Sequence, residues 1–244
     1  MIKSFIKQSL HSLGYEIRAL PAPVPIPPPL QLPEVPLTHI LDGEMSIFLL
    51  KPEGVDGNVS MSELASINAL VAKRAPKVLF EIGTFDGRTS VNMIANAPKD
   101  ALLYTLDLPK ADLGKTVLNL DQWETQYVDK EKSGSRFEDT RWKNQIVQLW
   151  GDSGSFDFTP YDRKADFIFI DGSHAYDYVK NDTAVALKLA SESAILVWHD
   201  YNHAWPGVIK ALEEFYARET VFQNLKHIAG TSLVFLDVAR AAQR

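Results

Sequence analysis

The chain contains no cysteine, which excludes a disulfide framework, a thiolate zinc site and a thiol nucleophile. A basic surplus is also missing: 25 lysines and arginines stand against 31 acids, and the net charge of −6 argues against a protein that tracks nucleic-acid phosphates. No apolar run approaches the ~20 residues of a membrane span, and the N-terminus has no continuous apolar core of the signal-peptide kind. A cytoplasmic protein, resting at most on the inner face of the membrane, is the expectation. Glycine is sparse where nucleotide folds need it. The segment Glu81-Ile-Gly-Thr-Phe-Asp-Gly87 has neither the G-x-G-x-x-G spacing nor a lysine after its second glycine. What is present is 244 residues with 45% hydrophobic content, enough for one large α/β domain with a short appendage.

Residues 1–20 place Ile2, Phe5, Ile6, Leu10 and Leu13 at helical spacing among Lys3, Lys7 and Arg18, which reads as an amphipathic helix. Residues 21–40 form a proline-rich linker, since Pro21 to Pro36 holds eight of the fourteen prolines. Such a helix on a stiff tether suits peripheral contact with an anionic membrane, association with a second copy of the chain, or packing on its own domain. The main domain is expected over 41–244. It opens with a capping box, Ser60-Met-Ser-Glu63, ahead of a helix to residue 74. Compact apolar runs at 78–82, 101–107, 145–150, 165–171 and 193–199, most separated by helical stretches, predict a doubly wound parallel sheet. A further helix should start near Trp205-Pro206, and 223–228 with 231–236 should form a closing antiparallel hairpin around Ala229-Gly230.

In such a sheet, ligands collect at the carboxyl ends of the strands. The predicted strands end on Glu81 and Gly83, on Asp107-Leu108, on Gly151-Asp152-Ser153, on Asp171-Gly172-Ser173-His174 and on His199-Asp200. The glycines let a ligand approach the backbone, and a helix starting near Gly87 would aim free N–H groups at an anion. Asp107 lies 24 residues beyond Gly83, where a carboxylate can accept both hydroxyls of a ribose; a turn or cap before Pro109 is its other reading. Thr89 and Ser90, in the first helical turn, suit a ligand carboxylate or plain capping. His174 suits general-base work because its ordinary pKa is near neutral, or it caps the helix that follows; His199 is a second candidate or a hydrogen-bonded core histidine. The polar insertion from Pro109 to Asn144 is long enough for a lid, with Trp123, Tyr127, Arg136 and Phe137 as candidate acceptor contacts.

The pattern E-x-G-x-x-x-G over Glu81–Gly87 resembles motif I of the class I S-adenosylmethionine (SAM) methyltransferases. Phe167 to Asp182, with Ile195-Leu-Val-Trp-His-Asp-Tyr-Asn202 and Trp205-Pro-Gly-Val208, resembles bacterial O-methyltransferases that modify sugars and macrolide glycosides, over roughly residues 58–237. The resemblance implies a Rossmann-like seven-stranded sheet of order 3-2-1-4-5-7-6. It also implies SAM as cofactor, held by Glu81, Gly83, Thr84, Phe85, Asp86, Gly87, Thr89, Ser90, Asp107, Leu108, Asp152, Ser153 and Asp171, with Asp152 receiving the adenine amino group. Asp152 could equally belong to an ordinary Gly-Asp turn. His174, His199 and Asp200 are the implied catalytic residues, and the acceptor is a small molecule or glycan. In related enzymes, acids after the fourth and fifth strands hold a divalent ion, which points here to Asp171, Asp200 and Asn202 with magnesium or manganese. His199 stands where an acid is expected in that pattern, which favours a softer ion or none. The sequence leaves two other readings open: an NAD-dependent sugar-modifying enzyme, and an idle adaptor at a membrane-bound glycan assembly site.

Overall fold

A computed structural model describes residues 27–41, 43–130 and 132–241; the amphipathic segment 1–20 and the tract 21–26 lie outside the described residues. The strands are β1 (Glu34–Val35), β2 (Val78–Ile82), β3 (Leu102–Asp107), β4 (Ile146–Trp150), β5 (Ala165–Ile170), β6 (Ala190–Trp198), β7 (Lys226–Ile228) and β8 (Val234–Asp237). The four long helices are α1 (Met61–Arg74), α2 (Arg88–Asn96), α3 (Tyr176–Leu189) and α4 (Pro206–Arg218). The sheet runs β1-β7-β8-β6-β5-β2-β3-β4, parallel except where β8 pairs with β6 and β7. Leaving out β1, this is the expected order 3-2-1-4-5-7-6 with its terminal hairpin.

Alternation along the strands explains why both faces are covered. Phe80, Ile82, Ile168, Ile170, Leu196 and Trp198 point into one core against Val179, Ala186 and Leu189 of α3 and Val208, Leu212 and Phe215 of α4. Their neighbours Leu79, Phe167, Phe169, Ile195 and Val197 point the other way, onto Leu64, Ile67 and Leu70 of α1 and Val91 and Ile94 of α2. Burial on both faces is what near-continuous apolar strands require. The capping box at Ser60 forms as read: Ser60 Oγ accepts from Glu63 N, and Glu63 Oε2 accepts from Ser60 N at 2.8 Å.

Three local details differ from the sequence expectation. Residues 220–224 form a 3₁₀ helix, not the start of a strand, because Phe222 and Leu225, three apart, both turn into the core. The hairpin's second strand starts at Val234, since Thr231 closes a turn back onto the Ile228 carbonyl. The end of the proline tract is extended, but it is also joined to the sheet. Pro33 and Val35 carbonyls accept from His227 and Ala229, and Leu32 is buried in the core. Tyr201 Oη accepts from the Gln31 and Leu32 amides at 3.1 Å each.

Candidate active site

The strand ends converge on a cavity of about 330 Å³ at the carboxyl edge of the sheet. Gly83 forms its floor at φ +98°, and a Cβ there would lie 2.0 Å from the Asp171 carbonyl oxygen, so only glycine lets β2 and β5 end side by side. Phe85, Asp107, Leu108, Asp152, Ser153, Asp171, His174, His199 and Asp200 also line the cavity. The remaining expected cofactor contacts stand behind this wall. Asp86 caps Arg88 N and pairs with Arg136 at 2.7 Å, while Thr84 bonds Thr105 and Gln148. Gly87 starts α2, and Thr89 and Ser90 are buried in its first turn.

Glu81 is fully buried, accepting from Ser90 and Thr105 through one oxygen, while its other oxygen has no protein partner. Burial pushes its pKa up to about 8 against those hydroxyl bonds. The unfolded chain ionises near 4.5, so between that pH and about 8 the unfolded state releases a proton that the folded state keeps, and wild-type stability falls. Glu81→Gln is expected to remove this dependence. Its stability relative to wild type should rise by up to roughly 1.4 kcal/mol per pH unit across that window. Denaturant unfolding at pH 5 and pH 8 checks it; an equal difference at both values would contradict it.

At the cofactor end, Asp107 accepts from Lys130 Nζ at 2.8 Å and from the Ser133 hydroxyl. Burial raises its pKa against the pull of Lys130. Asp152 accepts from Tyr178 Oη at 2.8 Å, and from Gly154 N and Val117 N at 2.9 Å each. Lys130, Ser133 and Val117 all belong to the insertion, which folds over the rim as short helical turns, including Gln122–Glu124, Thr125–Val128 and Ser135–Glu138. Of its expected acceptor contacts, Tyr127 lines the cavity and Trp123 packs on Trp205 with the rings tilted by 33°. Arg136 and Phe137 instead fasten the insertion, Arg136 to Asp86 and the Glu53 carbonyl, and buried Phe137 against Gly87.

The other end carries an acid–imidazole network. His174 Nε2 lies 2.6 Å from Asp200 Oδ2, and its Nδ1 lies 2.8 Å from Glu124 Oε1. Trp205 stacks on this ring at 3.8 Å, and Gly207 packs so closely on the His174 carbonyl that a Cβ would lie 2.2 Å from it. Burial alone would lower the His174 pKa, but the bonds to Asp200 and Glu124 prevail and push it up to about 9. His199 is bracketed by Asp171 at 2.9 Å, Asp200 at 3.1 Å and Glu63 at 3.3 Å. Its pKa too is held well above the ordinary value by these acids despite burial. Asp200 and Glu63 resist the upward push of burial through their histidine bonds and lie well below the usual carboxylate range. Asp200 sits at φ +64°, a left-handed conformation unusual for a non-glycine residue, and Ser232 braces it by accepting from the Asp200 amide at 3.2 Å.

Asp171, His174 and Asp200 each present a donor atom within 4.8 Å of the other two. Asn202 stands beside them, its amide nitrogen 3.5 Å from Asp200 Oδ1 and its amide oxygen accepting from Ala204 N at 2.9 Å. His203 is exposed. Sequence reading missed Glu63 beyond its cap, together with Glu124, Ser232, Lys130 and the stacking of Trp205 on His174. Glu124 stood in a stretch singled out as polar, but its partner is 50 residues away.

A doubly wound sheet closed by an antiparallel hairpin, with its cavity between the glycine loop and acids ending the next strands, defines a class I SAM-dependent methyltransferase fold. The family model described as a methyltransferase domain matches residues 80–201, half of the chain, and the chain belongs to that family. The fold is shared with the O-methyltransferase TomG from Streptomyces achromogenes, solved with SAM, at 19% identity over 75% of this chain and 82% of that one (TM-score 0.52). It is shared also with the SAH-bound methyltransferase PaMTH1 of Podospora anserina, at 15% identity over 75% and 80% (TM-score 0.55). An O-methyltransferase from Bacillus cereus in complex with SAH matches at 13% identity over 75% and 84% (TM-score 0.51). No curated protein sequence matches the chain. Family membership sets aside the NAD-dependent reading. Among the described residues, no helix is long and apolar enough to cross a membrane.

Proposed function

We propose that this chain transfers the methyl group of SAM to a hydroxyl of a sugar, glycan precursor or glycosylated small molecule. The observation that carries the reading is that the His174–Asp200 pair opens onto the same cavity as Gly83 and Asp107. SAM then lies along Gly83, Phe85, Asp107, Leu108, Asp152 and Ser153, with its sulfonium among carboxylates that favour positive charge. The acceptor enters beside Trp205 and Trp123, whose indole faces suit a sugar ring.

In the transfer, the acceptor oxygen bonds to the methyl carbon as the sulfur–carbon bond breaks, and that bond's electron pair stays on sulfur to give S-adenosylhomocysteine. The hydroxyl proton passes to the Asp200–His174 pair, with Nε2 its final holder and the ring kept in place at Nδ1 by Glu124. Asp200 bonds the imidazolium so formed, and charged His199 beside it offsets developing negative charge on oxygen. As an alternative on the same side chains, Asp171, His174 and Asp200 would hold a divalent ion, a mixed nitrogen and oxygen set suited to manganese more than magnesium, and His174, then a ligand, would not take the proton. Such an ion would supply positive charge favouring alkoxide character at the acceptor. Calorimetric titration tests the cofactor half of the reading: wild type should bind SAM, and Asp107→Ala should bind it at least about tenfold more weakly, the loss of a buried charged hydrogen bond. Equal affinities would remove Asp107 from the cofactor site.

A further inference from the structure

The insertion is fastened mainly along the cofactor wall. Gly134 N and Ser133 Oγ donate to the Phe85 carbonyl, Arg136 N donates to the Asp86 carbonyl at 2.9 Å, and Val117 N donates to Asp152. At the acceptor wall the polar connection is Glu124. Its carboxylate is buried at 4% exposure and accepts from Ser173 Oγ at 2.9 Å and from His174 N at 2.5 Å, besides facing His174 Nδ1. A buried carboxylate is costly unless every oxygen is paired, and here both Glu124 oxygens have partners.

The pairing also has a chemical consequence. A carboxylate only accepts, so Glu124 and Asp200 each call for a ring N–H; a neutral imidazole keeps just one, and Glu124 competes with Asp200 to hold it on Nδ1. The next residue back, Trp123, lies on Trp205, which lies on the same ring at its face. Two consecutive residues of the insertion therefore hold the His174 ring, Glu124 by hydrogen bond and Trp123 by ring contact, its centroid 6.0 Å from the imidazole and packed also on Trp205, while other parts of the insertion touch the acids of the cofactor pocket.

From this juxtaposition, and resting on the proposed O-methyl transfer, we infer that Glu124 is a positioning residue that makes His174 competent only when the insertion is docked over the cofactor pocket. The insertion thus joins the two halves of the site, lying along the cofactor wall and holding the imidazole in place through Glu124. Glu124 touches neither reacting atom. Its effect passes through His174, and the two residues should behave as one unit.

Glu124→Gln in the full chain keeps size and fold while weakening the clamp. Loss of such an outer carboxylate costs about ten- to a hundredfold in activity, and kcat should fall by that factor with SAM affinity by calorimetry unchanged. Glu124→Asp should recover part of the loss. The double variant Glu124→Gln with His174→Ala should be no slower than His174→Ala alone, the non-additivity expected of residues acting as one unit. A fully active Glu124→Gln, or losses that multiply in the double variant, would overturn the inference. A readout independent of any acceptor is the histidine-ring nitrogen spectrum with SAM bound. Wild type should show a protected Nδ1–H from His174 that Glu124→Gln loses, and an unchanged spectrum would defeat the clamp. If that signal behaves as expected while wild type methylates no hydroxyl, the functional reading fails and the clamp stands.

Discussion

His174→Ala is expected to lower kcat by about 10² to 10⁴, the usual range for a lost general base, while SAM binding changes little. The asymmetry follows from position: His174 meets Asp200, Glu124 and Trp205 at the acceptor end, whereas Asp107 and Asp152 lie at the cofactor end. The alanine variant leaves Glu124 and Asp200 without their shared imidazole, which can cost stability as well. His174→Asn, which keeps a hydrogen-bonding amide, separates the two effects; it should fold like wild type and remain nearly inactive. The same residue sets the pH dependence. With its pKa pushed up to about 9, His174 is protonated at neutral pH and must lose that proton before it can accept another. Rate should therefore climb about tenfold per pH unit below that value and level off above it. A rate that falls as pH rises from 7 to 9 would exclude neutral His174 as the proton acceptor.

Gly83→Ala is expected to have the second largest effect, destabilising the protein by on the order of 3 kcal/mol or more and weakening SAM binding at least tenfold. Two independent penalties act there. The backbone is at φ +98°, and the new methyl would meet the Asp171 carbonyl oxygen at 2.0 Å, a rigid main-chain atom. Relief requires the ends of β2 and β5 to part, although Gly83 N donates to the Leu106 carbonyl and Asp171 N to the Ile82 carbonyl, both at 2.9 Å. Gly114 is the natural control, because it too has a positive φ of +82° but nothing within 4 Å of a built Cβ. Gly114→Ala should cost only backbone strain, about 1 kcal/mol. Thermal unfolding and SAM titration of both variants decide the matter. Equal small losses would show that crowding at the strand ends is not what Gly83 relieves.

The sheet was largely legible because its strands are buried on both faces, and compact apolar runs such as Phe167–Ile170 betray that directly. The position of the cavity was legible for the same reason, since each run stops on a polar residue at the same edge. Strand β1 was hidden. Prolines 33 and 36 have no N–H to donate, and β1 holds to the sheet through a few main-chain bonds, among them Pro33 and Val35 carbonyls accepting from the β7 side. The network around the histidines was equally hidden, for a different reason. Glu63 reaches His199 across 136 residues and Glu124 reaches His174 across 50, and no local spacing encodes such meetings. Asp107 and Asp152 lie where sequence placed them, but their carboxylates already bond Lys130, Ser133, Val117 and Tyr178. At Asp107 both of these bonds fall on Oδ2, so a ligand meets a carboxylate already half engaged by the insertion. That engagement depends on how the insertion folds, which composition alone does not disclose.

In the proposed function this rim moves a methyl group from SAM to a sugar hydroxyl. The most direct measurement follows label from methyl-labelled SAM into a panel of glycosides, sugar nucleotides and glycosylated small molecules, with wild type and His174→Asn side by side. Oxygen-linked label on at least one sugar acceptor with wild type, and its loss with His174→Asn, is the predicted result. SAM bound but not turned over on any acceptor, or undiminished transfer by His174→Asn, would contradict it, and the first of these outcomes would favour an idle adaptor that keeps the methyltransferase fold.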